Sequence, residues 1–495
     1  MSSSGPNVEV AIIGSGFGGI CAAINLKKQG ISNFAILERR SFMGGTWCQN
    51  RYPGAAVDVQ SVLYSLASEP YDWSQLFAEG DELRGYTQYI IDKHGLAKKT
   101  QTNWNVSKIV WHESSHEWEI CSSDNQVVFA KFVINASGPL STPVTPSFPG
   151  SEEFSGESFH TNNWNNDYDH RGKRVAVIGS GASAAQVIPA IAEDVAELHV
   201  FQRTPHWVIP RPDYRFKPWQ RRLLQRPFFY QLLRKIVYWA LEGRVLGFKY
   251  SKAFLNLVAR RRAMKLINKQ LTDPELRRKL TPQYTIGCKR IILSDTLYPA
   301  LSRPNVTLHD NADSIARLTK TGVVTQTGQE VALDLIVYST GYDATDGLIS
   351  YPVIGKNGAK LSDYWSTFPR AYLGTTVPGF PNFFIVTGPN TGIGHTSALF
   401  IIESQMEYIM RCINEVRRSG AQSIEVRETA ESRYTELIHS EMERTVWKTG
   451  GCHSWYQSES GHVIAMFPGF SFTYRRWARQ FSEADHYFAL TTANS

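Results

Sequence analysis

One local plan, strand then glycine turn then helix then strand, is written twice in this chain, and it restricts the fold more than any other feature. Val8 to Ile13 reads as a buried strand, GSGFGG follows, a helix runs to Gly30, and Asn33 to Leu37 is the next apolar strand. Arg174 to Arg203 repeats the order with RVAVI, GSGASA, a helix and ELHVFQR. Pro189 inside that second helix implies a kink. Each unit is followed later by strand-like runs ending in a strand and a glycine, VINASG at Gly138 and IVYSTG at Gly341. A strand that returns parallel to its neighbour needs a crossover helix, so the expected class is α/β with two Rossmann-like dinucleotide-binding domains.

The length of 495 residues supports two or three domains. The Pro/Ser/Gly-rich stretch Pro139 to Gly150 links the halves, and the segment 211–290 reads as mainly helical. The expected division is 1–140 plus 381–495 for the first nucleotide domain, 141–210 plus 291–380 for the second, and 211–290 as an inserted helical subdomain. With 42% apolar and 20% charged residues, disordered and fibrous classes are excluded. The first ten residues lack a secretory pattern and no run of 18 apolar residues follows, which gives the expectation of a cytoplasmic protein that does not span a membrane. Six cysteines without a C-x-x-C pair are expected as free thiols in a reducing cytosol, with neither a dithiol centre nor a metal site.

Within the two turns, Gly14, Gly16 and Gly19 satisfy G-x-G-x-x-G, and Gly179, Gly181 and Ala184 give the variant with alanine third. The spacing allows a tight turn, brings backbone close to a pyrophosphate and sets a helix N-terminus against it. The strand ends differ. Glu38 stands 24 residues after Gly14, where a carboxylate accepts from ribose hydroxyls, and Arg203 stands 24 residues after Gly179, where a guanidinium pairs with a 2′-phosphate. The first site therefore suits FAD and the second NADPH rather than NADH. Ser183 and Gln186 on the second helix, Thr204 after Arg203, and Val106 at the head of a strand-like run complete the cofactor-binding set. With no dithiol and no metal cluster to take electrons, oxygen is the expected acceptor.

Phe154, Gly156, His160, Trp164 and Asn165 fit F-x-G-x-x-x-H-x-x-x-W, and with the paired fingerprints they make the chain resemble the type I Baeyer-Villiger monooxygenases over nearly its whole length. Relatives that oxidise nitrogen or sulfur carry Tyr or Phe where Trp164 stands; the family usually has Pro or Asp where this chain has Asn165. His160 itself reads as a packed or hinge residue rather than a proton donor. The resemblance implies that Thr46, Trp47, Asp58 and Tyr64 in GGTWCQNRYPGAAVDVQSVLY line the FAD, that Lys289 in GCKR contacts the 2′-phosphate, that Arg290 is catalytic, and that Trp455 lies near the nicotinamide.

It also implies the chemistry: NADPH reduces FAD, O2 adds at C4a, and the peroxyflavin attacks a ketone to give an ester or lactone. That peroxide must stay anionic, and arginine, which never deprotonates, suits the task. Asp58 would orient Arg290 and partly balance its charge. Two other readings stand beside this one: an N- or S-oxygenating flavin monooxygenase, and a flavoprotein that binds NADPH without oxygenating anything. A small ketone and O2 are the expected partners of a monomer or small homo-oligomer. Residues 211–290 carry 21 Lys/Arg against 4 Asp/Glu in a chain of net charge +7. A cofactor-facing role is expected for this basicity ahead of peripheral contact with an anionic membrane, and nucleic acid is not expected because no reader motif accompanies it.

Overall fold

The computed structural model describes residues 7–345 and 347–490. In the first glycine unit, Asn7–Ile13 lies parallel between Phe34–Leu37 and Val127–Asn135, with Ile13 opposite Leu37 on one side and Asn135 on the other. A strand paired on both edges and covered on both faces has no solvent side, which is why Val10, Ala11, Ile12 and Ile13 are all apolar and all buried. Helix Phe17–Lys28 follows at once. Its close approach depends on Gly19, where a Cβ would sit 1.9 Å from the carbonyl oxygen of Gly14, itself at φ +98°.

Around this unit runs an eight-stranded sheet. Val106–His112, Glu117–Ser122 and Val127–Asn135 form an antiparallel meander, and two late strands join, Val353–Ile354 beside Val106–His112 and Phe383–Ile385 beside Val127–Asn135. The chain therefore rejoins this sheet at Val353, earlier than the return expected after Phe380. Helix Ala398–Ser419 then packs on Phe17–Lys28 and on Ser471–Arg479.

The second unit forms a wholly parallel sheet of five strands in the order Val306–His309, Glu197–Phe201, Arg174–Ile178, Leu335–Tyr338, Glu157–His160. Helix Ala182–Ile191 crosses it, and Pro189 falls in the last turn, where the helix ends. Between Phe201 and Val306 the chain makes the helical insert, including Pro218–Leu224, Pro227–Glu242, Arg261–Gln270 and Pro274–Leu280. Among the described residues no helix is long and apolar enough to cross a membrane.

The expectation that every cysteine is free fails at one pair. Cys288 and Cys452 are disulfide-bonded across 164 residues of sequence, while Cys21, Cys48, Cys121 and Cys412 are free. Spacing rules detect only cysteines that are neighbours along the chain, and tertiary folding makes this pair.

Candidate active site

Both glycine turns end in a helix whose first N–H groups have no side-chain cap. Gly16 precedes Phe17–Lys28 and Gly181 precedes Ala182–Ile191, each extended and each without a capping hydrogen bond. Uncapped first-turn donors at a glycine turn make an anion cradle. At Gly181 a Cβ would meet nothing within 4 Å, so the space that a pyrophosphate needs is open.

Beside the first cradle, the Glu38 carboxylate is held at the strand end by three donors: Ser15 N–H at 2.9 Å, Ser15 Oγ at 2.6 Å and Arg40 N–H at 2.9 Å. A buried, acceptor-only group at this place fits a ribose diol. Trp104 N–H donates to the Glu38 carbonyl, which sets buried Val106 two residues further along the same wall. Thr46 opens a short helix with its side chain exposed, and Trp47 Nε1 donates to the Tyr64 hydroxyl at 3.0 Å. Burial pushes the Tyr64 phenol up to about 12.

The second cradle brings Arg203 and Lys289 together, and neither is ion-paired with a carboxylate among the described residues. Burial lowers the Lys289 pKa and the neighbouring Arg203 charge lowers it further, while burial followed by Lys289 brings His206 down to about 4. Two like charges drawn together with no carboxylate between them are the donor set that a 2′-phosphate requires, so these residues fit NADP. Thr204 gives its carbonyl to Ser180 Oγ at 2.6 Å, fixing the turn that carries Arg203.

The two cradles touch. Gln186, on the second helix, donates through Nε2 to the Ala56 carbonyl at 2.8 Å and accepts from the Tyr52 hydroxyl at 2.9 Å; Ser183 also reaches Tyr52. The F-x-G-x-x-x-H-x-x-x-W segment supplies the other tie. His160 Nδ1 accepts from Asn162 N–H, Asn162 donates to the Tyr342 hydroxyl, and that hydroxyl donates to Asn50. Phe159 and Trp164 stack edge to face at 4.9 Å. His160 is a packed connector between the two nucleotide loops.

A cavity of about 140 Å3 has a wall that includes Asp58, Lys289, Arg290, His395, Trp447 and Tyr456. Arg290 Nε and Nη2 donate to the two oxygens of Asp58, both at 2.6 Å. Burial works against the Asp58 charge, yet the Arg290 fork outweighs it and leaves the carboxyl below the ordinary range. Asp58 in turn raises the guanidinium pKa further, against burial. Both side chains keep partial exposure, 29% for Asp58 and 39% for Arg290, so the pair is anchored and still open to a ligand.

Sequence reasoning missed Tyr456 and His206. Tyr456 is buried beside Arg290, its phenol pushed by burial up to about 12. Only its place next to Trp455 signalled it. Trp455 itself is 44% exposed and packs edge-on against Tyr456, outside the cavity wall. His206 follows Arg203 by three residues, and proximity to that arginine was the available clue.

Comparisons with known proteins agree with this geometry. The family model for flavin-binding monooxygenase-like proteins matches residues 7–380. A Baeyer-Villiger monooxygenase of Pseudomonas aeruginosa is 43% identical over 487 residues, covering 98% of this chain and 92% of its own. Cyclohexanone monooxygenase from Rhodococcus sp. Phi1 bound to NADP+ superposes with a TM-score of 0.89 at 27% identity, over 99% of this chain and 100% of that one. OTEMO in complex with FAD and NADP superposes with a TM-score of 0.87 at 27% identity, covering 98% and 100%.

Proposed function

The chain belongs to the flavin-binding monooxygenase-like family, in its Baeyer-Villiger branch, and we propose that this protein inserts one oxygen atom of O2 beside a ketone carbonyl to give an ester or lactone. It is an NADPH-dependent flavin monooxygenase with FAD and NADPH as its cofactors. When bound, FAD supplies what no side chain here can, accepting hydride equivalents from NADPH and activating O2.

The single observation that carries the reading is the two-point Asp58–Arg290 pair on the cavity wall. Oxygen activation and addition to a ketone both develop negative charge. Arg290 stays cationic at every working pH and meets that charge with a donor held in place beforehand. Asp58 is the positioning residue: its two oxygens fix the guanidinium plane and leave the remaining N–H donors for the cavity. Tyr456 also lies within hydrogen-bonding reach of Arg290. We assign Lys289, Arg203 and Thr204 to the 2′-phosphate end of NADPH and Gly179, Gly181, Ser183, Ala184 and Gln186 to its pyrophosphate. Gly14, Gly16, Gly19, Glu38, Thr46, Trp47, Tyr64 and Val106 go to FAD. On this reading the sheet built on Asn7–Ile13 is the FAD domain and the sheet built on Arg174–Ile178 is the NADPH domain.

The test is a purified-protein assay that follows NADPH consumption and oxygenated product together, with ketones and thioethers side by side. Ester or lactone formed in step with NADPH supports the proposal. Sulfoxide as the sole product, or NADPH consumed only to peroxide, would overturn it.

A further inference from the structure

Helix Pro227–Glu242 is apolar on two sides. Its inward side packs Tyr230, Leu233, Val237, Tyr238 and Leu241 on the core and also carries Arg234 and Glu242, both buried. Arg234 Nη1 donates to the carbonyls of Val62 (2.7 Å) and Ser65 (2.8 Å), and Nη2 pairs with Glu403 at 3.3 Å. Glu242 accepts from Ser471 N–H and Oγ and from His395 Nε2. The outward side carries Phe228, Leu232, Ile236 and Trp239, which are 71, 45, 58 and 60% exposed. Their spacing of three to four residues places them in one stripe. A helix in water ordinarily turns such a stripe inward.

The apolar surface continues beyond this helix. The Trp239 ring lies 5.8 Å from Phe472, Phe472 lies 4.9 Å from Phe470, and Phe470 lies 6.4 Å from Tyr250. Leu246, Tyr250, Phe254, Leu257 and Val258 are all exposed as well. At about 100 Å2 for each half-exposed large side chain, the patch is on the order of 1,000 Å2, whereas a soluble monomer rarely shows more than a few hundred. The same segment holds the chain's excess positive charge. Its cations Arg222, Arg226, Lys235, Arg261 and Lys265 form no ion pair among the described residues, in contrast to Arg221 with Asp72 and Lys249 with Glu441. Phe254, Val258 and Arg262 belong at once to this surface and to the cavity wall, so the cavity opens onto it.

We propose that the outer face of the helical insert docks on an anionic phospholipid bilayer, with the aromatic and aliphatic stripe in the interface and the surrounding lysines and arginines against the headgroup phosphates. Charge selects this occupant. A second copy of the chain would bring one strongly basic face against another, whereas an anionic bilayer supplies the missing counter-charge and the apolar medium together. Docking of this kind places the cavity mouth at the lipid surface, where apolar ketones concentrate. The lipid contact itself does not depend on which substrate the enzyme oxygenates.

The experiment sediments the flavin-loaded holoenzyme with vesicles of pure phosphatidylcholine and with vesicles containing about a third phosphatidylglycerol. The bound-to-free ratio is expected to be about tenfold or more higher on the anionic vesicles and to fall with added salt. Phe228→Ser with Trp239→Ser should lower it by about tenfold or more, and Lys235→Glu by about fivefold. None of these three positions lines the cavity, so flavin absorbance and NADPH turnover in lipid-free buffer should not change in these variants. Three results would overturn the proposal: recovery of the wild type in the supernatant with both vesicle types, equal binding to both, or a wild-type dimer that the Phe228/Trp239 variant converts to monomer while no form binds lipid.

Discussion

Replacing Arg290 by lysine keeps the charge and removes the fork, which makes it the sharpest probe of the site. In the wild type, two N–H groups 2.6 Å from the Asp58 oxygens consume one edge of the guanidinium and hold its plane. A lysine ammonium reaching Asp58 keeps at best one of those bonds and has no plane to orient. One charge-assisted hydrogen bond is worth about 1.5 to 3 kcal/mol in a desolvated setting. The pair is 29 to 39% exposed, which argues for the middle of that range, about 2 kcal/mol or roughly thirtyfold. Loss of the positioned donor to the developing oxyanion sets the upper limit, about 10² to 10³ in rate. Arg290→Lys should therefore lower the rate of ester or lactone formation by roughly thirtyfold to a thousandfold while NADPH oxidation continues, so that product and NADPH uncouple. Asp58→Asn, which keeps the shape and deletes the charge, should uncouple in the same direction and less severely. The assay measures product by chromatography against NADPH loss in the same vial. A lysine variant that kept product and coupling within about threefold would refute the reasoning, because orientation of the cation would then contribute nothing beyond its charge.

Lys289→Ala and Arg203→Ala should each raise the KM for NADPH about tenfold while leaving that for NADH unchanged, since each removes a contact to the 2′-phosphate alone; steady-state kinetics with both nucleotides decides. His206 has its pKa lowered from 6.5 to about 4, so the unfolded chain takes up a proton first as pH falls, and stability declines between those values by at most about 3 kcal/mol. Urea midpoints measured from pH 7 to pH 4 should fall more steeply for the wild type than for His206→Gln. Burial likewise lowers His160, His199, His439 and His486, and they add to the same slope, whereas Asp313 and Asp334, both lowered to about 2, lose stability only below the usual carboxylate range. Thiol alkylation of denatured, unreduced protein should label four cysteines and six after reduction, with Cys288→Ser losing about 5 kcal/mol at most through the long loop the bond closes.

The sequence was most legible where function depends on neighbours along the chain. The spacing from Gly14 to Glu38 and from Gly179 to Arg203 follows from the rise of one strand, one turn and one helix, so the βα units and the two nucleotide preferences could be written down without coordinates. Arg290 and Asp58 were different. They are 232 residues apart, and only resemblance suggested that they meet; the two hydrogen bonds come from a loop of one sheet facing a segment that follows the helical insert. Tyr456 and the Cys288–Cys452 bond were illegible for the same reason, because each arises when the C-terminal stretch folds back onto the GCKR segment.

Helix Pro227–Glu242 marks a subtler limit. Its periodicity is plain in the sequence, but periodicity states only that two faces differ and leaves open which of them faces inward. The usual inference puts the apolar face in the core because water lies on the other side. Here the core side also offers the Val62 and Ser65 carbonyls, Glu403, Ser471 and His395, and Arg234 and Glu242 on this helix bond to them. Turning the helix to bury Phe228 and Trp239 would leave those groups unpaired, at about 1 to 3 kcal/mol for each neutral group and more for the charges. These buried polar bonds, together with the packing of Tyr230, Leu233 and Leu241 on the core, fix the rotation of the helix, and the exposed stripe is its consequence. No described residue covers that stripe, and on the docking proposed above an anionic bilayer does, so the orientation of this one helix bears on where the enzyme works as well as on how it folds.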